Sequence, residues 1–271
     1  LLAVAEMKRL PGSALIAAIT AAHEVAWRLN AALSAYNASY IEKGTSPDVF
    51  GNSHESVLGA ALGVGTLLGL DASRLANALG IAAYCCSLPV GKDWHEVRPP
   101  KPMIKYAPNG WLCNAAVMAG LQAEQGCTGN PAVLDGAYGF PRFYGAGRWD
   151  SESVLRDLGS HWVSAHFQFK PYACCRFFHS QLDCFIDLIE EQDLQPDEIV
   201  AVESLGMPFA ANADPMSVTT PSDAQFSLPF NLAAAAYRIP TGPDWQDASV
   251  LRDPRLHAFM KKVTIGVDPR A

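Results

Sequence analysis

The sequence lacks a long uninterrupted apolar segment and an excess of basic residues. Its longest strongly apolar run, residues 57–70, is interrupted by four glycines and is shorter than the roughly 20 residues that a membrane span needs. The formal net charge is −7, whereas nucleic acids and anionic membranes favour basic surfaces. We therefore expect a globular protein whose partners include neither nucleic acid nor membrane.

Cysteines at the spacings typical of disulfide frameworks or zinc sites are also missing. The seven cysteines are odd in number and contain no C-x-x-C, which argues against a disulfide framework and a structural zinc site. A reducing, cytoplasmic compartment is the natural expectation. Cys174 and Cys175 are set apart by their cationic neighbours. The other five are interpreted as small buried hydrophobic residues: Cys85, Cys86, Cys113, Cys127 and Cys184.

Motifs of several large enzyme classes do not occur. The chain has no P-loop, no G-x-G-x-x-G after a strand and no G-x-S-x-G, so we set aside nucleotide-dependent and serine-hydrolase functions. His161 and His166 are five residues apart without a third ligand at metal spacing. We therefore predict no metal site.

The residue pattern predicts an all-helical first part and a mixed second part. Helices are expected in the first part at 14–33, 57–68, 72–83 and 111–125. Asp71 is a predicted N-cap, Gly126 a predicted helix end, and the proline-rich residues 87–110 a long structured loop. In the second part, helices at 180–192, 224–238 and 254–262 are expected with strands at 199–207 and 263–267. We predict a mainly α fold, with an all-α helical domain at 1–165 and a smaller α+β domain at 166–271.

Two windows contain no acidic residue, although 27 of the 271 residues are acidic. Their basic residues are Arg98, Lys101 and Lys105 within 98–123, and His161, His166, Lys170, Arg176 and His179 within 158–182. Two facing cationic walls would hold a di- or tricarboxylate, with Arg176 gripping one carboxylate through paired hydrogen bonds. We interpret Arg98 and Lys101 as solvated surface residues.

Lys105 and Lys170 are flanked by apolar or aromatic residues, in M-I-K-Y and F-K-P-Y. This setting predicts buried stems and directed ammonium groups. A lysine close to other cations has a lowered pKa and can also transfer a proton. His54 and His179 each lie at a predicted helix start, where a histidine can either pack or help to bind an anion.

Five segments carry a family resemblance, in order along almost the whole chain. They are H-E-S-V-L-G-A-A-L-G-V-G-T-L-L-G-L-D with A-N-A-L-G-I-A-A after it, M-I-K-Y-A-P-N-G-W, G-C-T-G-N-P-A-V-L-D-G-A-Y-G-F, F-K-P-Y-A-C-C-R-F-F-H and D-A-Q-F-S-L-P-F-N-L-A. Together they resemble the MmgE/PrpD family, which includes 2-methylcitrate dehydratase, cis-aconitate decarboxylase and iminodisuccinate epimerase. The resemblance implies an all-α domain with a smaller α+β lid domain, an active site in the cleft between them and a homodimer. It also implies no organic cofactor or iron–sulfur cluster.

The resemblance also implies site residues. Lys105 matches the active-site lysine before the G-W helix, and Lys170 matches that of the K-P-Y motif. His54 falls near an active-site histidine, at a shorter spacing to the G-A-A that follows. The implied catalytic candidates are Lys105, Lys170, His54 and His179. The implied substrate-binding candidates are Arg176, Cys175, Gln225, Ser227 and Tyr106.

Two departures from the family pattern bear on the reaction. Cys175 stands where the decarboxylases have a histidine, and Phe230 stands where the family has an active-site tyrosine. Both count against decarboxylation. The C-C-R-x-x-H form resembles a bacterial and fungal branch of the family, in which Arg176 and His179 would take over substrate contacts.

The resemblance covers only part of the family's length. The N-terminal segment with its active-site Asp and His, and the C-terminal return to the helical domain, have no counterpart here, so we expect a fragment of a longer polypeptide. The expected function is that of a cofactor-independent lyase that removes a proton α to a carboxylate, a 2-methylcitrate-type dehydratase. An epimerase of the iminodisuccinate type, a decarboxylase of the cis-aconitate type and a truncated non-catalytic member stay open.

Overall fold

The computed structural model describes residues 1–42, 55–88, 91, 94, 97–105, 109–135, 138–144, 149–206 and 217–270. The chain separates into two compact units. The first comprises Leu1–Asp93 and Tyr106–Phe167, and the second Trp94–Lys105 and Gln168–Ala271. A short piece of the first acid-free window therefore belongs to the second unit. The domain boundary predicted after residue 165 stays a prediction.

In the described part of the first unit, the regular elements are helices. These are α1 (Leu2–Met7), α2 (Gly12–Glu42), α3 (Ser56–Leu67), α4 (Ala72–Ala82), α5 (Asn109–Glu124), α6 (Phe140–Phe143) and α7 (Ser151–Leu155). Helix α3 packs against α2, α4 and α5, and most of its residues are buried. Among the described residues, none of the helices combines the length and the apolar character that crossing a bilayer requires.

Small residues allow these helices to approach closely. A Cβ at Gly59 would lie 2.4 Å from the carbonyl oxygen of Ala22 on α2, and a Cβ at Gly80 would lie 2.6 Å from the backbone nitrogen of Asn130. No side chain fits at such distances without movement of the backbone. The glycine-rich pattern read in the sequence therefore serves tight helix packing.

Local signals placed several helix ends correctly. The Asp71 side chain accepts a hydrogen bond from the Arg74 N–H at 2.9 Å, which confirms the predicted N-cap of α4. Gly126 has φ +90° just after α5, as a helix-ending glycine should. Helices α3 and α4, which the cap at Asp71 separates, pack against each other.

The second unit combines helices with a small sheet. Its elements are α8 (His179–Glu191), β1 (Val202–Gly206), α9 (Pro221–Gln225), α10 (Leu228–Ala236), α11 (Ala248–Leu251), α12 (Pro254–Met260) and β2 (Val263–Val267). The two strands pair in parallel, with Val202 opposite Val263. Helices α8 and α12 pack on α10, whose nine residues are all buried. The described chain is mainly α, as predicted.

One predicted helix is wrong. Residues 224–238 form no continuous helix, because α9 ends at Gln225 and α10 begins at Leu228. Ser227 has extended backbone angles and its hydroxyl accepts a hydrogen bond from the Phe230 N–H, so it starts a new helix. Pro229 in the first turn favours such a start, since it has no N–H to lose.

The burial predicted for five cysteines is also wrong. Cys86 is partly exposed and the other four are exposed: Cys85, Cys113, Cys127 and Cys184. Cys113 and Cys184 lie on the outer faces of α5 and α8, so the position on the helix outweighs the weak apolar character of the thiol. The buried thiols are Cys174 and Cys175.

Candidate functional site

The second unit includes a loop, Trp94–Lys105, that carries Lys101 and Lys105 and starts at Trp94. The side chain of Trp94 is only 4% exposed, and its ring lies 4.9 Å from that of Phe226, edge to face. The indole N–H donates to the carbonyl of Pro102 at 3.0 Å. This hydrogen bond connects the first residue of the loop to Pro102, near its end.

Lys101 is buried, which corrects its interpretation as a solvated surface residue, whereas Arg98 is exposed as expected. The Lys101 ammonium donates to the carbonyls of Trp94 at 3.3 Å and Val97 at 2.8 Å, and lies 4.6 Å from the centroid of the Trp94 ring. Burial lowers the pKa of Lys101, and Asp223 partly offsets this shift. The Lys101 side chain thus holds the loop together through hydrogen bonds to its own backbone. No local sequence pattern predicted these contacts.

Asp223 fastens this loop to helix α9. Its side chain is fully buried, and one carboxylate oxygen accepts from the backbone N–H of Lys101 at 2.8 Å. The other oxygen accepts from the backbone N–H groups of Thr219 at 3.1 Å and Thr220 at 3.0 Å. Burial opposes ionisation, but these hydrogen bonds outweigh it and hold the pKa of Asp223 below its usual range.

Lys105 lies at the end of the same loop, over aromatic faces. Its ammonium nitrogen is 4.1 Å from the centroid of the Phe226 ring and 5.3 Å from that of Trp94. Burial is the main reason why the pKa of Lys105 falls to about 8. The charges of Lys170 and Lys101 lower it further, while Cys175 acts in the opposite direction.

Lys170 and Cys175 come from the second acid-free window. Cys175 is buried, whereas Lys170 is exposed, so the buried stem predicted for Lys170 is wrong. The Lys170 ammonium donates to the carbonyl of Cys174 at 3.2 Å, and the N–H of Cys175 donates to the carbonyl of Gln225 at 2.8 Å. Burial raises the pKa of the Cys175 thiol, although Lys105 and Lys170 both act to lower it. Lysines of both windows therefore lie close enough to this thiol to act on its pKa.

His179 is the first residue of α8 and is only 7% exposed. Its ring lies edge-on to Tyr172, with 5.2 Å between centroids, and the Tyr172 hydroxyl donates to Asp183 at 2.6 Å. Among the described residues, its Nε2 atom has no hydrogen-bond partner. Burial lowers the pKa of His179, so the neutral imidazole is favoured.

The predicted substrate-binding residues have these positions. The Arg176 guanidinium donates to the carbonyl of Phe169 at 2.7 Å and to the side-chain oxygen of Gln168. The Gln225 amide donates to Gln246 at 3.0 Å. Ser227 is fully buried as the cap of α10. These roles stay predictions.

His54 and Tyr106 lie outside the described residues. The structure brings Lys105, Lys170 and Cys175 together, and it adds three residues that sequence reasoning missed: Trp94, Asp223 and Phe226. Asp223 and Phe226 belong to the D-A-Q-F-S motif, and that motif could have pointed to them. Nothing local marks Trp94.

The arrangement suits an anionic ligand. Lys105, Lys170 and Lys101 are close enough for the charges of the other two to depress the pKa of Lys105. A carboxylate would offset this repulsion, because opposite charges favour the ionised form of a lysine. Within the described residues, no group of three or more His, Cys, Asp or Glu side chains is placed to hold a metal ion.

Comparison with known proteins gives two kinds of match. The family model of the MmgE/PrpD N-terminal domain matches residues 1–152, and that of the MmgE/PrpD C-terminal domain matches residues 172–271. Among curated proteins, the chain is 31% identical over 135 residues to the cis-aconitate decarboxylase of Aspergillus terreus, covering 47% of this chain and 26% of that protein. It is 32% identical over 130 residues to the cis-aconitate decarboxylase of a named strain of the same fungus, covering 45% and 25%.

The alignments thus span about a quarter of the length of these curated relatives. The two family models, by contrast, leave only residues 153–171 of the chain unmatched. Their order along the chain is the order of the five segments identified in the sequence. The chain belongs to the MmgE/PrpD family.

Proposed function

We propose that this chain carries the carboxylate-binding site of a cofactor-independent lyase that acts on a small di- or tricarboxylate. The proposed reaction is a 2-methylcitrate-type dehydration, which begins with removal of a proton α to a carboxylate. The observation that supports it most directly is the position of the Lys105 ammonium over the Phe226 and Trp94 rings, near enough to Lys170 and Cys175 for both to act on its pKa. Family membership supports the same class of reaction.

Each basic group has a proposed role. The ammonium groups of Lys105 and Lys170 hold substrate carboxylates and stabilise the negative charge that develops as the α proton leaves. Neutral His179 accepts that proton, because its lowered pKa keeps the imidazole uncharged. His54 is the second proposed proton carrier. Arg176, Gln225, Ser227 and Tyr106 are proposed to complete substrate binding.

Dehydration is favoured over decarboxylation by two residues. Cys175 and Phe230 stand where the resemblance places a histidine and a tyrosine in the decarboxylases, and both are buried. A buried phenyl ring has no hydroxyl with which to donate a proton. Phe230 is therefore unsuited to the part that a tyrosine would have.

A second candidate is decarboxylation of the cis-aconitate type. The observation that favours it is the identity of about 31% to proteins named cis-aconitate decarboxylase. The proton steps of an epimerase need no further groups, so an epimerase of the iminodisuccinate type is a third outcome that the experiment must recognise.

The test incubates the protein with 2-methylcitrate and, separately, with cis-aconitate and iminodisuccinate. We expect ultraviolet absorbance of an unsaturated product from 2-methylcitrate, with no release of carbon dioxide. Carbon dioxide from cis-aconitate would replace this proposal by the second candidate. Deuterium incorporation at the α carbon without absorbance change would replace it by epimerisation.

The site is tested separately from the reaction by ligand-induced thermal stabilisation. Lys105→Met should abolish the rise in melting temperature that polycarboxylates produce. Lys262→Met is the matched control, since Lys262 belongs to the same unit and its ammonium donates to the carbonyls of Pro196 and Ile199. Equal responses of both variants would refute the site. The predicted homodimer is tested by sedimentation of the same samples.

A further inference from the structure

We propose that Asp223 is the positioning residue of this site: it fastens the loop that ends at Lys105 to helix α9 and so places Lys105 beside Cys175 and Lys170. The inference rests on the proposed function for its catalytic consequence. Its structural part can be tested without any activity. Asp223 is a positioning residue because its own carboxylate is occupied by protein donors.

The two oxygens of Asp223 serve two different elements. Oδ1 accepts from the Lys101 N–H across 122 residues of sequence, and Oδ2 accepts from the backbone of Thr219 and Thr220 and the hydroxyl of Thr219. The side chain is 0% exposed. A fully buried carboxylate that is satisfied by N–H and O–H groups holds those groups firmly, because releasing one of them leaves part of a buried negative charge unpaired.

Hydrogen bonds within the loop connect its residues to one another, so fixing position 101 also fixes its neighbours. The Lys101 ammonium binds the carbonyls of Trp94 and Val97, and the Trp94 indole binds the carbonyl of Pro102. Lys105 follows Lys101 by four residues. The bond between Asp223 and the Lys101 N–H thus connects this internally bonded loop to α9.

The stretch from Asp223 to Phe226 holds both sides of the site. Asp223 anchors the Lys105 loop, the carbonyl of Gln225 accepts from the Cys175 N–H, and the Phe226 ring lies under the Lys105 ammonium at 4.1 Å. The distance between Lys105 and Cys175 is therefore set through four consecutive residues. This accounts for a buried aspartate in a motif that also contains Gln225 and Phe226.

Asp223→Asn is expected to remove the bond to the loop while keeping the contacts at the start of α9. The amide oxygen of asparagine can still accept from Thr219 and Thr220, but its NH₂ group then faces the Lys101 N–H, and two donors cannot bond. Thr220→Ala is the matched control. It removes the hydroxyl that accepts from the Asp223 N–H and leaves the Lys101 bond intact. Thr220→Ala therefore weakens the start of α9 and keeps the bond to the loop, whereas Asp223→Asn keeps the contacts to Thr219 and Thr220 and removes the bond to the loop.

The first readout is hydrogen exchange of residues 97–105, measured by mass spectrometry. We expect at least tenfold faster exchange of this segment in Asp223→Asn, and unchanged exchange in Thr220→Ala. In the unsubstituted protein, the Lys101 amide should be protected to a similar degree as amides of α10. Exchange of that amide at the rate of an unstructured peptide would overturn the proposal, even if Asp223→Asn could not be obtained folded.

The second readout is the pH profile of activity. Release of the loop exposes Lys105, so the limb of the profile near pH 8 should move upward by about one unit, and kcat should fall by about 10²-fold because the reacting groups are misplaced. Thr220→Ala should leave both unchanged. Faster loop exchange with an unchanged profile would overturn the positioning role. If the unsubstituted protein turns over none of the substrates, the proposed function fails. The exchange measurement still shows whether Asp223 holds the loop to α9.

Discussion

Each of the two units contains a cluster of charged groups, and the two clusters differ in how their charges are balanced. In the first unit, Glu24 and Arg28 are 2% and 3% exposed and form an ion pair at 2.6 Å. In the second unit, Lys105 lies among Lys101, Lys170 and two aromatic rings around the Cys175 thiol. The first cluster joins one acid with one base, whereas the second gathers three lysines, with the Asp223 carboxylate acting on Lys101.

The first cluster is satisfied by the protein itself. The Arg28 guanidinium donates to the carbonyls of Val154, Arg156 and His161 at 3.2, 2.7 and 2.7 Å. The Glu24 carboxylate accepts from the N–H groups of Val163 and Ser164 at 3.1 and 2.9 Å. This pair holds the segment after α7 against α2. Its pattern is that of a structural element.

The pKa shifts of the two clusters have opposite consequences for stability. Burial opposes the charge of Glu24, but its hydrogen bonds and Arg28 hold its pKa at about 2, so the native state favours the ion. Burial and neighbouring cations hold the pKa of Lys105 at about 8, so the native state disfavours the ion. A charged group that the fold does not favour is a better candidate for binding a ligand than one that it does.

The largest expected effect is that of Arg28→Met. It leaves the buried Glu24 carboxylate without its cation and three carbonyls without their donor, so we expect a loss of about 3–5 kcal/mol in the free energy of unfolding. Urea denaturation measures it. The control is Lys8→Met, which removes a partly exposed pair with Glu124 and should cost about 0–1 kcal/mol. Equal losses would break the comparison.

The next effect is the acid dependence of Glu24. Its pKa is lower in the folded protein, about 2, than its usual value of 4.5. The stabilisation is therefore present above pH 4.5 and is lost as the pH falls toward 2, by about 3 kcal/mol in all. The difference in unfolding free energy between the unsubstituted protein and Glu24→Gln should shrink over this window. A difference that does not vary with pH would contradict the assignment.

Lys105→Met should have a smaller effect of opposite sign. The unfolded chain binds more protons than the native state between about pH 8 and the usual lysine value of 10.5, so stability rises with pH in that window. At pH 7 the substitution removes a disfavoured charge, and we expect it to stabilise the partly exposed site by about 1–2 kcal/mol. Lys105→Arg keeps the charge and should not stabilise. Destabilisation by Lys105→Met would show that the cluster is structural.

The smallest expected effect calibrates the others. Asp71→Ala removes an ordinary N-cap of α4 in the first unit and should cost about 1 kcal/mol, while Asp71→Asn should cost only a fraction of that. Thermal and urea unfolding both measure it. A loss as large as that of Arg28→Met would mean that the Glu24 and Arg28 cluster is no more important than a helix cap.

Local signals in the sequence predicted much of the fold. The cap at Asp71, the helix end at Gly126 and the strand at 263–267 depend on neighbouring residues alone, and all three are confirmed. The break between α9 and α10 was missed, although S-L-P carries a cap residue and an early proline. The apolar run of that region had outweighed the cap signal.

The site was predicted only in part, because its contacts are long-range. The meeting of Lys105 with Lys170 followed from the scarcity of acids and the family resemblance. The burial of Lys101 depends on Trp94 and Asp223, and the latter is 122 residues away in sequence. Such a pairing leaves no periodic trace in either segment, so the lysine looked like any other surface lysine.

The complete burial of α10 limits how the proposed reaction type could be changed. Phe230 is 0% exposed within the core of the second unit. Phe230→Tyr would therefore add a hydroxyl where water cannot solvate it, at a cost of about 1–3 kcal/mol unless a hydrogen-bond partner is supplied. Cys175→His would likewise place a larger, polar ring at a position that is 7% exposed. A route from one family activity to another would need compensating changes in the surrounding core, so that the two positions change together with their neighbours.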